Sequence, residues 1–388
     1  MKSPLKRSDK IVFLSLGILS MLLLFIFLPK ILSGHYVLEG QSGRQILTTT
    51  APEKPVFVPS YVSTPSVVKG IYMTSWTAGN PVLREPLVKL IDDTELNTVV
   101  IDIKDYSGKI VFPIINPILK VHGSEEVRAP DMQNFVELLH KKNIYVIGRI
   151  AVFQDAYFVK LRPDLAVKIS AGTAVWKDKK GISWIDPNSR EYWDYIILLS
   201  KEARKIGFDE INFDYIRFPS DGDMNDISYR LSSTTPKATV LKNFFEYLQN
   251  GLSGSGLKTS ADLFGMTTSA KNDMGIGQVL ENALPYFDYV SPMVYPSHYP
   301  TTFEGFADPE AHPYEVVHFA LESAVARTNL ASTTPTKIRP WLQDFGLKMT
   351  YGPEEVKAQI KATNDVGLSS WLLWSASNQY TKGALEKE

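Results

Sequence analysis

The chain has 388 residues, 44% of them apolar, with 41 basic against 42 acidic side chains and a net charge of −1. Such a composition supports a sizeable core, and its interspersed charges lack the clustered Lys and Arg of a nucleic-acid surface, so no nucleic-acid partner is expected. The absence of cysteine excludes disulfides, thiolate metal sites, a cysteine nucleophile and a lipid-modified N-terminal cysteine.

Lys2, Lys6, Arg7 and Lys10 precede an uncharged run over 11–28 that ends at Pro29 and Lys30. Crossing a bilayer takes roughly 17–25 apolar residues, so residues 1–30 are expected to form a cytoplasmic basic flank and a transmembrane signal-anchor. The basic flank stays inside, which makes the protein single-pass in the cell membrane with its main domain extracytoplasmic. A cleaved signal peptide is the alternative, but Ile31-Leu32-Ser33-Gly34 matches its small-residue cleavage pattern poorly. Residues 31–66, rich toward their end in Thr, Ser, Pro and Val, read as an extended linker, part of it a candidate extra strand.

From residue 67 to 388 short β-branched or aromatic runs alternate with amphipathic stretches. Strands are expected at 68–76, 98–105, 145–153, 210–218, 258–265, 288–295, 337–345 and 369–377. Helical patterns lie between them, among others at 81–90, 131–142, 192–206, 238–251, 316–329 and 353–366. Small turns at Lys142-Asn143, Ile206-Gly207 and Val366-Gly367 suit helix ends that feed strands. Eight strands with intervening crossovers predict the α/β class and a (β/α)8 TIM barrel in one domain. A doubly wound sheet is the competing architecture, but no G-x-G-x-x-G follows the first strand.

Barrel chemistry sits at the C-terminal ends of the strands, and here nearly every strand ends in polar residues. Side-chain alternation puts Asn212 and Asp214 on one face of strand four, opposite Ile211 and Phe213, and turns Asp262 inward on strand five. Asp102 and Lys104 share a face of strand two, and Arg149 lies on strand three. Tyr295 and His298 end or follow strand six, Trp341 and Gln343 lie on strand seven, and of Trp371 and Trp374 on strand eight only Trp374 is expected inward. Inward acids on neighbouring strands drive their pKa values apart, which supplies an acid and a base near neutral pH, while Trp faces suit sugar rings. A purely structural ion-pair network around Asp214, Asp262 and Arg149 is the bland alternative, as core packing is for Trp193. The turn Lys177–Lys180 reads as a solvated loop, and the segments 220–236 and 296–313 as loops overhanging the mouth. No cofactor or metal is expected, because His312 and His318 lack the companions of a metal motif. Oligomeric state is not legible.

The run from Gly207 through Asp214 and Arg217 to Pro219, with Gly70-Ile71-Tyr72, Trp184-Ile185-Asp186-Pro187, Ser291-Pro292-Met293-Val294-Tyr295-Pro296 and the Trp-rich last strand, resembles a bacterial family of glycoside hydrolase-type domains long known as a domain of unknown function. The run is more distantly similar to the strand-four motif of glycoside hydrolase family 18, the chitinases. Asp209, Asn212 and Asp214 match that motif's earlier positions, and Ile216 stands where it has its catalytic Glu, a departure from chitinase-type chemistry. The resemblance implies a glycosidase acting on a cell-surface or extracellular polysaccharide, with Asp214 expected to protonate the leaving oxygen and Asp262 or Asp102 as its partner. Lys104, Arg149, Asn212, Arg217, Tyr295, His298, Trp341, Gln343 and Trp374 are the expected substrate contacts. A non-catalytic carbohydrate-binding barrel is the alternative, and a metal-dependent polysaccharide deacetylase a weaker one.

Overall fold

The computed structural model describes residues 57–387. The expected transmembrane anchor and most of the expected linker lie outside the described residues, and among those described no helix is long and apolar enough to cross a membrane.

Each predicted run forms a strand, trimmed to the part that pairs: β1 (Lys69–Met73), β2 (Thr98–Lys104), β3 (Tyr145–Ala151), β4 (Glu210–Asp214), β5 (Lys258–Phe264), β6 (Tyr289–Met293), β7 (Trp341–Gln343) and β8 (Trp371–Trp374). Every strand pairs in parallel with the next, and β8 closes on β1, so the TIM barrel is complete. Trimming has local causes. β4 stops where Tyr215 takes a left-handed φ of 52°, and β7 starts only after Pro340, which has no N–H for a ladder.

The helices are α1 (Ser75–Ala78), α2 (Pro81–Asp92), α3 (Pro117–Val121), α4 (Met132–Lys141), α5 (Ala156–Leu161), α6 (Arg190–Ile206), α7 (Lys237–Leu252), α8 (Leu280–Ala283), α9 (Pro313–Leu330) and α10 (Pro353–Asp365). The turns read from sequence recur as positive-φ residues after α4, α6 and α10, at Asn143, Gly207 and Gly367.

Apolar burial divides into two clusters. The larger lies between barrel and helices and holds Ile211, Phe213, Ile216 and Trp371. The smaller fills the barrel with Tyr72, Val100, Tyr145, Ile147, Trp341 and Leu372. At the N-terminal end of the strands Glu210 is ion-paired with Arg339, both fully buried, and accepts a hydrogen bond from the Tyr145 hydroxyl at 3.0 Å. Residues 57–66 form no strand. Residues 60–64 run along this end, where Val62 N–H donates to Asp209 at 2.9 Å and Thr64 to the Tyr145 hydroxyl at 3.1 Å. Asp209 is thereby a bottom-end anchor, far from any chemistry at the strand tops.

Candidate active site

At the C-terminal ends of the strands a cavity of about 500 Å³ opens, a size that fits a small ligand or a short stretch of a sugar polymer. Arg149, Asp214, Asp262, Met293, Tyr295 and Trp374 line it from the strands and their ends, and Lys180, Arg217, His298 and Tyr299 from the loops. Alternation explains the inward set on β4: Ile211 and Phe213 pack on the helices, so Asn212 and Asp214 face the axis.

Arg149 organises one side of the cavity. Its Nη2 donates to Asp214 at 2.5 Å and its Nη1 to Asp102 at 2.5 Å. Asp102 also accepts from the Tyr72 hydroxyl. The Tyr72 ring stacks on Trp374 with centroids 3.9 Å apart, which fixes the indole where it lines the cavity. The second oxygen of Asp214 accepts from the Tyr215 N–H at 2.6 Å, a contact made possible by the turn at that residue.

Asp262, on β5, has a different environment. Its Oδ1 accepts from Asn212 at 2.7 Å and from the Trp341 indole at 2.8 Å. It is 1% exposed, and among the described residues no cation pairs with it directly. Burial, then the charge of Asp214, pushes its pKa up to about 8. Two acids on one cavity therefore differ: Asp214 is ion-paired, and Asp262 keeps its proton at neutral pH.

Asp214 and Asp262 thus meet as expected, and Arg149, Arg217, Tyr295, His298 and Trp374 line the cavity with them, while Trp371 points to the outer core. The other expected site residues lie elsewhere. Asp102 sits behind Arg149 and supports it from the far side. A register shift between Asp102 and Lys104 breaks their common face, and the fully buried Lys104 pairs with Asp155 at 2.9 Å beside α5. Asn212 and Trp341 face inward one layer too deep to line the cavity, and they position Asp262 instead. Gln343 accepts from the Ser297 N–H at 3.0 Å and its hydroxyl at 2.8 Å, which fixes the loop that carries His298.

Tyr72, Lys180, Phe264, Met266, Met293 and Tyr299 were not expected at the site. Tyr72 was findable by alternation along β1. Lys180 was not, because the loop between α5 and α6 brings its turn to the cavity. Segment 296–313 reaches the cavity through His298 and Tyr299 as predicted. Segment 220–236 packs along the α5–α6 loop instead, with Ser228 N–H donating to Lys168 O at 2.8 Å. Ile216, the position of the chitinase Glu, is fully buried in the outer core.

The family model described as "Putative glycosyl hydrolase domain" matches residues 70–380. Among solved structures, a hypothetical protein from Ruminiclostridium thermocellum ATCC 27405 is similar at 32% identity over 53% of this chain and 98% of that one, with a TM-score of 0.46. The PgaB (BpsB) glycoside hydrolase domain from Bordetella bronchiseptica is similar at 13% identity over 80% of this chain and 94% of that one, with a TM-score of 0.58. Alpha-L-fucosidase isoenzyme 2 from Paenibacillus thiaminolyticus is similar at 12% identity over 83% of this chain and 47% of that one, with a TM-score of 0.56. At such identities the last two likenesses concern the fold alone. No curated protein matches the chain.

Proposed function

The chain belongs to the glycosyl hydrolase domain family whose model spans residues 70–380, and on that premise we propose that it cleaves glycosidic bonds in a cell-surface or extracellular polysaccharide by carboxylate acid/base catalysis. One observation carries the reading: a proton-holding carboxyl, Asp262, and an ion-paired carboxylate, Asp214, line one cavity. Glycosidic cleavage asks for such a pair, an acid to protonate the leaving oxygen and a carboxylate to act at the anomeric centre.

The roles run opposite to the expectation from sequence. Asp262, whose pKa is raised to about 8, donates its proton to the leaving oxygen. Asp214, held by Arg149, attacks the anomeric carbon or draws a proton from water. Trp374 offers its face to the sugar ring, and Tyr295 and His298 contact its hydroxyls. An acid that holds its proton at neutral pH is the better donor, which is why burial decides the assignment.

The expected membrane anchor enters the proposal too. Val62 and Thr64 bind at the end of the barrel opposite the mouth, which supports a chain that enters the domain away from the cavity. The test is a digest of a glycan library with the full-length chain and its Asp214→Asn variant. New reducing ends from the parent, and a rate lower by about 10²-fold or more from the variant, support the reading. Equal product from both, or binding without release by the parent, overturns it in favour of another mechanism or a binding barrel.

A further inference from the structure

Arg217 is a guanidinium without an acid. It follows β4 in Tyr215-Ile216-Arg217-Phe218-Pro219, where the left-handed turn at Tyr215 swings the chain over the cavity. Its plane lies among three rings, 4.6 Å from Phe264, 4.9 Å from Trp184 and 5.3 Å from Tyr215. Nη1 donates to Phe218 O at 3.1 Å and to the Ser220 hydroxyl at 3.0 Å. Nε and Nη2 have no partner among the described residues.

The residue is 8% exposed, and no carboxylate of the described residues lies within 4.0 Å of it. The acids that face it, Asp214, Asp221 and Asp178, act only from farther off. Asp214 is committed to Arg149. Both oxygens of Asp178 are occupied by Gln154, the Trp184 indole and the backbone of Lys180 and Ile182. Burial, the largest influence, lowers the pKa of Arg217, and Tyr215, Asp214, Asp221 and Asp178, none of them paired with it, offset that only in part. An unpaired buried cation is costly, so its persistence calls for a compensating anion.

The pairing pattern of the cavity gives the same answer. Of the three cations that line it, Arg149 is held between Asp214 and Asp102, whereas Arg217 and Lys180 pair with no acid among the described residues. Glycosidic cleavage builds positive charge on the sugar ring. An unpaired cation nearby would oppose that charge unless the substrate supplies a negative group. A planar guanidinium fork with free donors recognises carboxylate or sulfate oxygens.

We propose that Arg217 receives an anionic group on the sugar, with Lys180 at the rim, so that the polymer is an acidic polysaccharide carrying carboxylates or ester sulfates. This rests on the glycosidase reading for the sugar but not for turnover, since a binding barrel would need the same contact.

The experiment is affinity electrophoresis of the full-length chain in mild detergent, through gels containing polygalacturonate, chondroitin sulfate, neutral galactan or cationic chitosan. An acidic polymer should retard the parent, with apparent affinity at least tenfold weaker for Arg217→Gln and lowered by added salt. Loss of retardation after carboxyl reduction to the alcohol marks a carboxylate, and loss after desulfation marks a sulfate. If Arg217→Gln does not fold, by circular dichroism, the salt and charge-removal arms on the parent decide the matter. Equal retardation by the neutral polymer, preference for chitosan, no retardation by any acidic polymer, or an unaffected folded Arg217→Gln overturns the inference. Retardation without new reducing ends overturns the glycosidase reading and leaves this one standing.

Discussion

Trp341 on β7 reaches past β6 and donates its indole N–H to Asp262 on β5 over 2.8 Å. Residues of alternate strands meet in this way in the layered interior of a closed barrel. The bond occupies the oxygen of Asp262 that faces down, which leaves the other for the cavity and its proton for a leaving group.

The pH profile of activity follows from this acid. With Asp262 pushed up to about 8, kcat/KM should fall above about pH 8 as the donor is lost. Asp214→Asn removes the second-largest influence that raises this pKa, so its residual activity should lose its alkaline limb at lower pH. Trp341→Phe removes a bond that lowers the pKa, so its limb should move higher. Asp262→Asn should cost about 10²- to 10⁴-fold in rate, with less loss on substrates whose leaving group needs no proton. Limbs that stay in place in both variants would show that another group titrates.

Stability should carry the same signature with a definite sign. An unfolded Asp titrates near 3.9 and the folded Asp262 near about 8, so the folded state holds an extra proton between those values. Its contribution is present in full below the unfolded pKa and is lost as pH rises toward 8, at about 1.4 kcal/mol for each pH unit crossed. Asp262→Asn keeps the Oδ1 acceptor and imitates the protonated acid. It should lie closest to the parent in melting temperature near pH 4 and exceed it by a margin that widens up to about pH 8. Parallel melting curves across that range would refute the raised pKa.

The alternation of Asn212 and Asp214 with Ile211 and Phe213 was enough to assign the inward face of β4, and the same rule chose Asp262 and Trp374. Depth was not legible. Asn212, Trp341 and Gln343 face inward but lie one layer below the cavity or against a loop, and a period of two residues carries no information on height. The register shift after Asp102 turned Lys104 away, and no local residue marks it. The division of roles proposed for the two acids was not legible either, because it rests on which carboxylate Arg149 grips, a contact between residues 65 apart in sequence.

Trp371 and Trp374 test the division between cavity and core. Trp374 lines the cavity, whereas Trp371 is fully buried against the helices. Trp374→Ala should raise KM about tenfold, a loss of about 1.4 kcal/mol in binding, with little change in melting temperature. Trp371→Ala should lose about 3–5 kcal/mol of stability with KM unchanged in the folded fraction. Denaturant melts and saturation kinetics on both variants separate the two effects, and a shared pattern would mean that the strand faces are misassigned.

Glu210 and Arg339 offer a control at the opposite end of the barrel. Both are fully buried, and their pair is completed by the Tyr145 hydroxyl. Breaking such a pair from one side strands a charge, so Arg339→Met should cost about 3–5 kcal/mol in a denaturant melt. Glu210→Gln combined with Arg339→Met removes both charges and should recover much of that loss. The layer holding Asn212 and Trp341 separates this pair from the cavity, so neither KM nor the alkaline limb should move in the variants that fold. A shift of the limb in the double variant would mean that the charge at the bottom reaches Asp262, and that the acid is tuned by the whole barrel interior rather than by its neighbours Asp214, Asn212 and Trp341.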